Sequence, residues 1–145
     1  MNWYKLSQIV EPNENYAYTV EETQAMQQQN QEYIKSQSLS IISGLQSSVT
    51  VVQQFIQSLG DPMITTFSGK QIKASEELRR FQGEITDLQQ SLETRNYLNP
   101  VNIKGIKISI GHFKEIGFTG LNDEGDQLEQ LRVQMKRINN PYKYR

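Results

Sequence analysis

Apolar and small side chains recur along residues 34–59 at alternating steps of four and three, the spacing of one helix face in a coiled coil. The pattern predicts a long helix. Ile42, Val49 and Ile56 add apolar surface beside the repeat, so we expect this helix to contact more than one neighbour. The repeat consists of Ile34, Ser38, Ile41, Leu45, Ser48, Val52, Phe55 and Leu59.

Signals for a helix start and a helix end flank this repeat. Thr19 followed by Glu22 is a capping box, in which the two side chains bind free backbone amides of the first turn. Gly60 and the dipeptide Asp61-Pro62 end the helix, because glycine accepts a left-handed conformation and proline cannot continue a helix. The first helix is therefore predicted to run from residue 19 to about residue 59.

A second helix is predicted from about Lys70 to Arg95, after a loop over residues 61–69. Its apolar repeat has the same alternation of four and three, and its charged residues occupy the other side. Matching repeats joined by a short loop indicate an antiparallel helical hairpin. The apolar positions are Ala74, Leu78, Phe81, Ile85, Leu88 and Leu92.

The segment over residues 101–119 has a different pattern. Ile106, Ile108 and Ile110 alternate with polar residues, which is the period of a half-buried strand. Gly111-His112 then offers a two-residue turn, so the pattern predicts a small β-hairpin. Gly105, Gly111, Gly117 and the following Gly120 fit an irregular loop as well, and that alternative stays open.

A last helix is predicted after Asn122-Asp123, and it ends at the breaker run 139–141. Its apolar positions are Leu128, Leu131, Met135 and Ile138. The expected organisation is a single domain that is mainly α. It consists of an aromatic N-terminal arm (1–18), a long coiled-coil-like helical hairpin (19–98), a β-hairpin or loop (99–121), a C-terminal helix (122–140) and a basic aromatic tail (141–145).

Composition removes several classes of chemistry. With no cysteine and one histidine among 145 residues, disulfides, thiolate metal sites and histidine-rich metal centres are excluded. His112 is interpreted as a turn or surface residue, and the acidic run 122–126 as capping of a helix N-terminus rather than a calcium loop. The sequence therefore predicts a protein without catalytic residues, metal or cofactor.

The most unusual feature is the stretch Ser36–Gly60, which contains no charged residue. Its length would allow a membrane span, but its serines and glutamines are costly to place in hydrocarbon, so we expect no span. Burial against other helices accounts for it better, because amides and hydroxyls can hydrogen-bond across an interface without the desolvation cost of a charge. A solvated helix surface is the plain alternative.

Charge is distributed unevenly along the chain. Residues 1–60 have two basic and five acidic side chains, and residues 101–145 have eight and five, which gives −3 and +3. Basic residues interleaved with tyrosine near the C-terminus could bind phosphates and stack on bases. Cations that favour a helix C-terminus are the alternative interpretation.

These observations favour a non-enzymatic structural protein of a homo-oligomeric assembly, with copies of itself and other assembly proteins as partners. In form alone, the predicted hairpins resemble a connector or adaptor subunit of a virus particle. The alternatives are a soluble helical adaptor or chaperone that binds a partner helix, and a nucleic-acid-binding protein. Without a signal-peptide pattern, we expect a cytoplasmic location or a place in an assembled virion. The candidate interaction residues are Trp3, Tyr4, Gln46, Val49, Gln53, Gln57, Arg132, Lys136, Arg137, Tyr142, Tyr144 and Arg145.

Overall fold

The structure is a computed structural model that describes residues 19–139. This part of the chain forms four helices and one two-stranded antiparallel β-hairpin, which confirms the mainly α fold. The helices form a bundle in which α1 packs against α2 and α4, and α3 packs against the same two neighbours. In chain order the elements are α1 (Val20–Ser58), β1 (Met63–Thr65), β2 (Gln71–Lys73), α2 (Ala74–Arg95), α3 (Pro100–Glu115) and α4 (Glu124–Asn139).

Both ends of α1 follow the signals in the sequence. The Thr19 hydroxyl accepts a bond from the Glu22 amide at 3.0 Å, and the Glu22 carboxylate accepts one from the Thr19 amide at 2.9 Å. At the other end, Gly60 and Asp61 both have positive φ angles. The Asp61 carboxylate accepts bonds from the amide and the hydroxyl of Ser75, so the turn after α1 is attached to the start of α2.

The buried face of α1 is displaced from the predicted repeat. Ile41, Ser48 and Phe55 are only partly buried, and Leu59 is 47% exposed. From Ser38 onward the buried positions still alternate by four and three, but every second one lies one residue later than predicted. Ile42, Val49 and Ile56, which were predicted to lie beside the repeat, are therefore part of the buried face. The buried residues from Ile34 onward are Ile34, Ser38, Ile42, Leu45, Val49, Val52 and Ile56.

The apolar repeat of α2 is buried as predicted, and it forms the other half of the antiparallel hairpin with α1. The Gln46 amide on α1 donates to the Gln89 amide oxygen on α2, which fixes which turns of the two helices lie side by side. The α2 helix ends at Asn96, whose φ of 49° is left-handed. All six positions of the repeat are buried: Ala74, Leu78, Phe81, Ile85, Leu88 and Leu92.

The β-hairpin prediction for residues 101–119 is wrong, because residues 100–115 are the helix α3. Ile106 and Ile110 are four residues apart and therefore share the buried helix face, whereas Ile108 lies on another side and is half-buried. The helix begins at Asn99, whose side chain accepts a bond from the Val101 amide at 2.9 Å, with proline at the first helical position. The Gly111-His112 pair is part of this helix and makes no turn.

The actual β-hairpin lies between α1 and α2, and only its first strand falls in the predicted loop 61–69. Its second strand occupies residues that were predicted to be helical, so α2 begins at Ala74 rather than at about Lys70. Ile64 pairs with Ile72, and the buried Ile64 side chain anchors the hairpin to the core. Three-residue strands are too short to show an alternating pattern, which is why the sequence did not reveal them. The hairpin places Phe67 at its tip, where the ring is 70% exposed.

The C-terminal helix is confirmed as α4, with Leu128, Met135 and Ile138 buried. Its last turn is bound by the N-terminal part of α1. The Gln27 amide donates to the Ile138 carbonyl and the Gln31 amide donates to the Asn139 side-chain oxygen, both at 3.2 Å. The Ile138 carbonyl is one of the backbone acceptors in the last turn of α4 that the helix itself cannot satisfy.

Replacing Leu88 with alanine tests the α1/α2 packing. The Leu88 side chain is fully buried, so Leu88→Ala should lower the free energy of unfolding by about 2 to 5 kcal/mol in a urea titration. Gln82→Ala, at an exposed position of the same helix, serves as the control. A loss below about 1 kcal/mol for Leu88→Ala would contradict the packing described here.

Candidate functional site

The most unusual chemistry of the described core is a carboxylate paired with a histidine. Glu77 on α2 and His112 on α3 are 1% and 3% exposed, and the Glu77 Oε2 to His112 Nδ1 distance is 2.5 Å. Charged groups are rarely buried to this extent unless they are paired. The pair therefore joins α2 to α3 at one defined position along the two helices.

Arg80 completes the environment of the Glu77 carboxylate. Its guanidinium donates two bonds to that carboxylate, at 3.0 and 2.8 Å, and a third to the buried Ser109 hydroxyl at 3.1 Å. Burial pushes the pKa of Glu77 up, but the bonds and charges of Arg80 and His112 outweigh burial, and the pKa lies below its ordinary value of 4.5. The carboxylate is thus ionised at neutral pH and only accepts hydrogen bonds, so His112 Nδ1 carries the proton between them.

The polar contacts continue along the same two helices. Glu84 lies 3.7 Å from the Arg80 guanidinium and accepts a 2.8 Å bond from the Asn102 amide. Gly105 leaves room for the Glu84 carboxylate, because a β-carbon at residue 105 would require that side chain to shift. The result is a polar seam beside the apolar core, with Glu77, Arg80 and Glu84 on α2 facing Asn102, Gly105, Ser109 and His112 on α3.

The sequence interpretation of His112 as a turn or surface residue is wrong, since the side chain is buried inside the bundle. A signal was available. On α3 the polar seam follows steps of three, four and three, and on α2 it follows steps of three and four. The pattern could be recognised only after residues 100–115 were known to form a helix, because it has no meaning in a β-hairpin.

The second nitrogen of His112 lies beneath the β-hairpin. Nε2 has no hydrogen-bond partner among the described residues, and the Phe67 ring is tilted over the imidazole with 4.7 Å between ring centroids. The hydroxyl of this cluster, on Ser109, bonds to Arg80 rather than to His112. The arrangement suits mechanical support of Phe67 better than nucleophilic catalysis, which needs a nucleophile in contact with its base.

An open groove lies beside Phe67 on the outer side of α3. It has a volume of about 490 Å³ and runs between the hairpin tip, α3 and one residue of α4. Lys107, which is among its lining residues, pairs with Asp126 at 3.0 Å. The rest of the lining is Phe67, Pro100, Ile103, Lys104, Ile108 and Glu129.

The predicted interaction residues of α1 divide into two groups. Gln46, Gln53 and Gln57 are exposed along the flank of α1 nearest α2, whereas Val49 is buried and belongs to the core. The outermost line of this helix was not among the predicted residues. It repeats at steps of four and three and consists of the exposed residues Ser36, Ser40, Ser43, Ser47, Thr50 and Gln54.

The basic residues of α4 are only partly available for a ligand. Arg132 is partly buried and forms two bonds with Glu129, at 2.9 and 2.6 Å, and the bond from Arg132 holds the pKa of Glu129 below its usual range. Lys136 and Arg137 are exposed in the last turn. The other predicted interaction residues, Trp3, Tyr4, Tyr142, Tyr144 and Arg145, lie outside the described residues.

Two further properties of residues 19–139 bear on function. Residues 19–139 contain no cluster of side chains that could hold a metal ion. Within the same range, α1 is the one helix whose length and composition would allow a membrane span. Most of its large apolar side chains are directed into the bundle, and from Ser36 onward its outward face offers mainly hydroxyls and amides, with Val51 exposed beside them.

No protein-family model, curated protein or solved structure matches this chain. The features of the described residues that bear on function are the outer face of α1 without charges, the polar seam and the groove beside Phe67.

Acid unfolding tests the ionised state of Glu77. A carboxyl whose pKa is lower in the folded state stabilises the fold above its unfolded pKa, and this contribution is lost as the pH falls through the folded pKa. Glu77→Gln should therefore be less stable than the wild type above about pH 5, and the difference should shrink below about pH 4.5. Urea titrations across this pH range measure the difference in the free energy of unfolding between Glu77→Gln and the wild type.

Glu76→Gln, at an exposed neighbouring position, is the matched control for this measurement. It should show a much smaller stability difference at every pH. A Glu77→Gln difference that stays constant from pH 5 down to about pH 3 would show that ionisation of Glu77 does not stabilise the fold.

Proposed function

We propose that this protein is a non-enzymatic structural protein that associates with copies of itself through the outer face of α1. The supporting observation is the absence of charge on that face. Between Ser36 and Ser58 every exposed side chain is serine, threonine, glutamine, glycine or valine. A surface without charges has no like-charge repulsion and no ionic desolvation cost when two copies approach.

The other helices differ sharply from α1. Exposed positions on α2, α3 and α4 carry charges of both signs, as is typical of solvated helix surfaces. Representative residues are Glu76, Arg79, Asp87, Lys104, Lys114, Glu115, Asp126 and Arg137. Because charged and uncharged helix surfaces occur in the same molecule, the overall composition of the chain does not account for the lack of charge on the outer face of α1.

The outermost line of α1 also has a shape suited to helix packing. Four serines and Thr50 repeat at the spacing of a coiled-coil face, and their small side chains allow two helix backbones to come close. Val51 is 53% exposed beside this line, and the surface at Gly44 is open. Because both copies present the same line, an isologous contact between two α1 helices satisfies the geometry.

This role suits a subunit of a larger particle, such as a connector or adaptor of a virion, or a cytoplasmic assembly. The adaptor alternative has support from the groove beside Phe67. The nucleic-acid alternative has less support, because the Arg132 charge is already paired with Glu129.

A charge inserted in the centre of the outer line tests self-association. Ser47→Glu should keep the helix content by circular dichroism, because Ser47 is exposed and glutamate favours helices. The same change should reduce the mass measured by sedimentation velocity, since the charge would be buried at the contact. Gln53→Glu, on the flank, should have a weaker effect. Gln82→Glu on α2 is the matched control and should leave the mass unchanged.

Crosslinking locates the contact independently. The chain has no cysteine, so the single variants Ser40→Cys, Ser43→Cys and Ser47→Cys can each be treated with a short bis-maleimide reagent. At least one should give covalent dimers, and Gln82→Cys should not. A wild type that is monomeric at high concentration, or a Ser47→Glu variant that assembles normally, would exclude this function.

A further inference from the structure

We propose that the groove beside Phe67 binds an acidic amphipathic helix of a partner protein. The groove lies on the outer side of α3 and shares no lining residue with the α1 face, so this proposal stands independently of self-association. Three observations carry it: a preorganised exposed aromatic ring, apolar walls, and an unpaired lysine on the rim.

Phe67 is held in its exposed position by the turn of the β-hairpin. The Thr66 amide donates to the Lys70 carbonyl at 2.7 Å, and the Thr66 hydroxyl bonds to the Ser68 hydroxyl and accepts from the Lys70 amide. Gly69 supplies the left-handed residue of the turn, with a φ of 87°. An aromatic ring fixed before binding loses little conformational entropy when a partner covers it.

The ring is also supported from below. Its inner face contacts the His112 imidazole, whose orientation is fixed by the Glu77 carboxylate and, through it, by Arg80. The buried polar seam thus positions an aromatic side chain that remains 70% exposed. Exposed apolar surface that a protein holds in place is typical of an interaction site.

The walls of the groove are apolar. Pro100, Ile103 and Ile108 lie along α3 opposite the Phe67 ring, and the exposed Val101 adjoins Pro100. A volume of about 490 Å³ accepts a few large side chains. An apolar groove that runs beside one helix is suited to a partner helix that presents apolar residues at i, i+3 and i+7.

The charges on the rim select the partner. Lys104 is exposed and has no ion-pair partner among residues 19–139, and α3 has no acidic residue before Glu115. The one carboxylate of the lining, Glu129, is bound by Arg132, and Lys107 is paired with Asp126. Carboxylates beside the apolar residues of a partner helix would therefore meet an uncompensated cation, whereas lysines there would be repelled.

Selection from a displayed library of helical peptides identifies the preferred sequences. The full chain should enrich peptides that combine large apolar residues at helical spacing with glutamate or aspartate, and Phe67→Ala should not enrich them. Enrichment that is identical with Phe67→Ala, or a set rich in lysine and arginine, would overturn the proposal.

The most enriched peptide then serves as the probe in fluorescence anisotropy. Phe67→Ala should weaken its binding by about tenfold or more, as for an aromatic residue that carries much of the binding energy. Lys104→Glu should weaken it as well and make binding less sensitive to salt. Val20→Ala removes an exposed apolar side chain of α1 and should have no effect.

Two controls separate the remaining possibilities. Ser47→Glu should leave peptide binding unchanged, and Phe67→Ala should leave the mass of the assembly unchanged, so either proposal can fail alone. Vesicles of phosphatidylglycerol test a lipid surface. If the wild type binds them through Phe67 and Lys104 while no acidic peptide binds, the partner is a membrane and the proposal is wrong.

Discussion

The structure depends on one constraint: the apolar side of a very long helix has to be covered by two other helices. At 1.5 Å per residue, the 39 residues of α1 extend for about 58 Å, which α2 with 22 residues and α4 with 16 can cover only together. α1 packs against both of these helices, and α3 packs against the same two and closes the bundle. From Ser36 onward, the outer side of α1 is left as the surface without charge.

A second constraint acts between α2 and α3. A buried carboxylate is tolerated here because Arg80 and His112 both bind it, and losing either partner would leave a poorly compensated charge in the core. This requirement fixes the register of the two helices, which apolar packing alone specifies less strictly. It also determines where His112 lies, and therefore where Phe67 is supported. The pairing that the buried carboxylate requires in the core therefore also determines where the exposed Phe67 ring is held.

Sequence reasoning succeeded where a pattern was long and local. The repeat of α2, the capping box at Thr19 and the helix after Asp123 each involve neighbouring residues, and each prediction is confirmed. It failed for α3 because Ile106 and Ile110 fit both a strand face and a helix face, and Ile108 favoured the strand. The Glu77 to His112 pair joins residues 35 positions apart, so no local pattern contains it.

The two proposed surfaces are arranged so that one need not obstruct the other. Since α1 and α3 share the neighbours α2 and α4, they occupy opposite corners of the bundle. A contact between two α1 helices would leave the outer side of α3 directed away from the partner copy, with Phe67 and Lys104 still accessible. The chemistry of the two surfaces also differs: small hydroxyl side chains suit an identical helix at close range, whereas an aromatic ring beside a lysine selects an acidic partner. Such a division would let one small bundle join copies of itself and carry a second protein on the outside of the assembly.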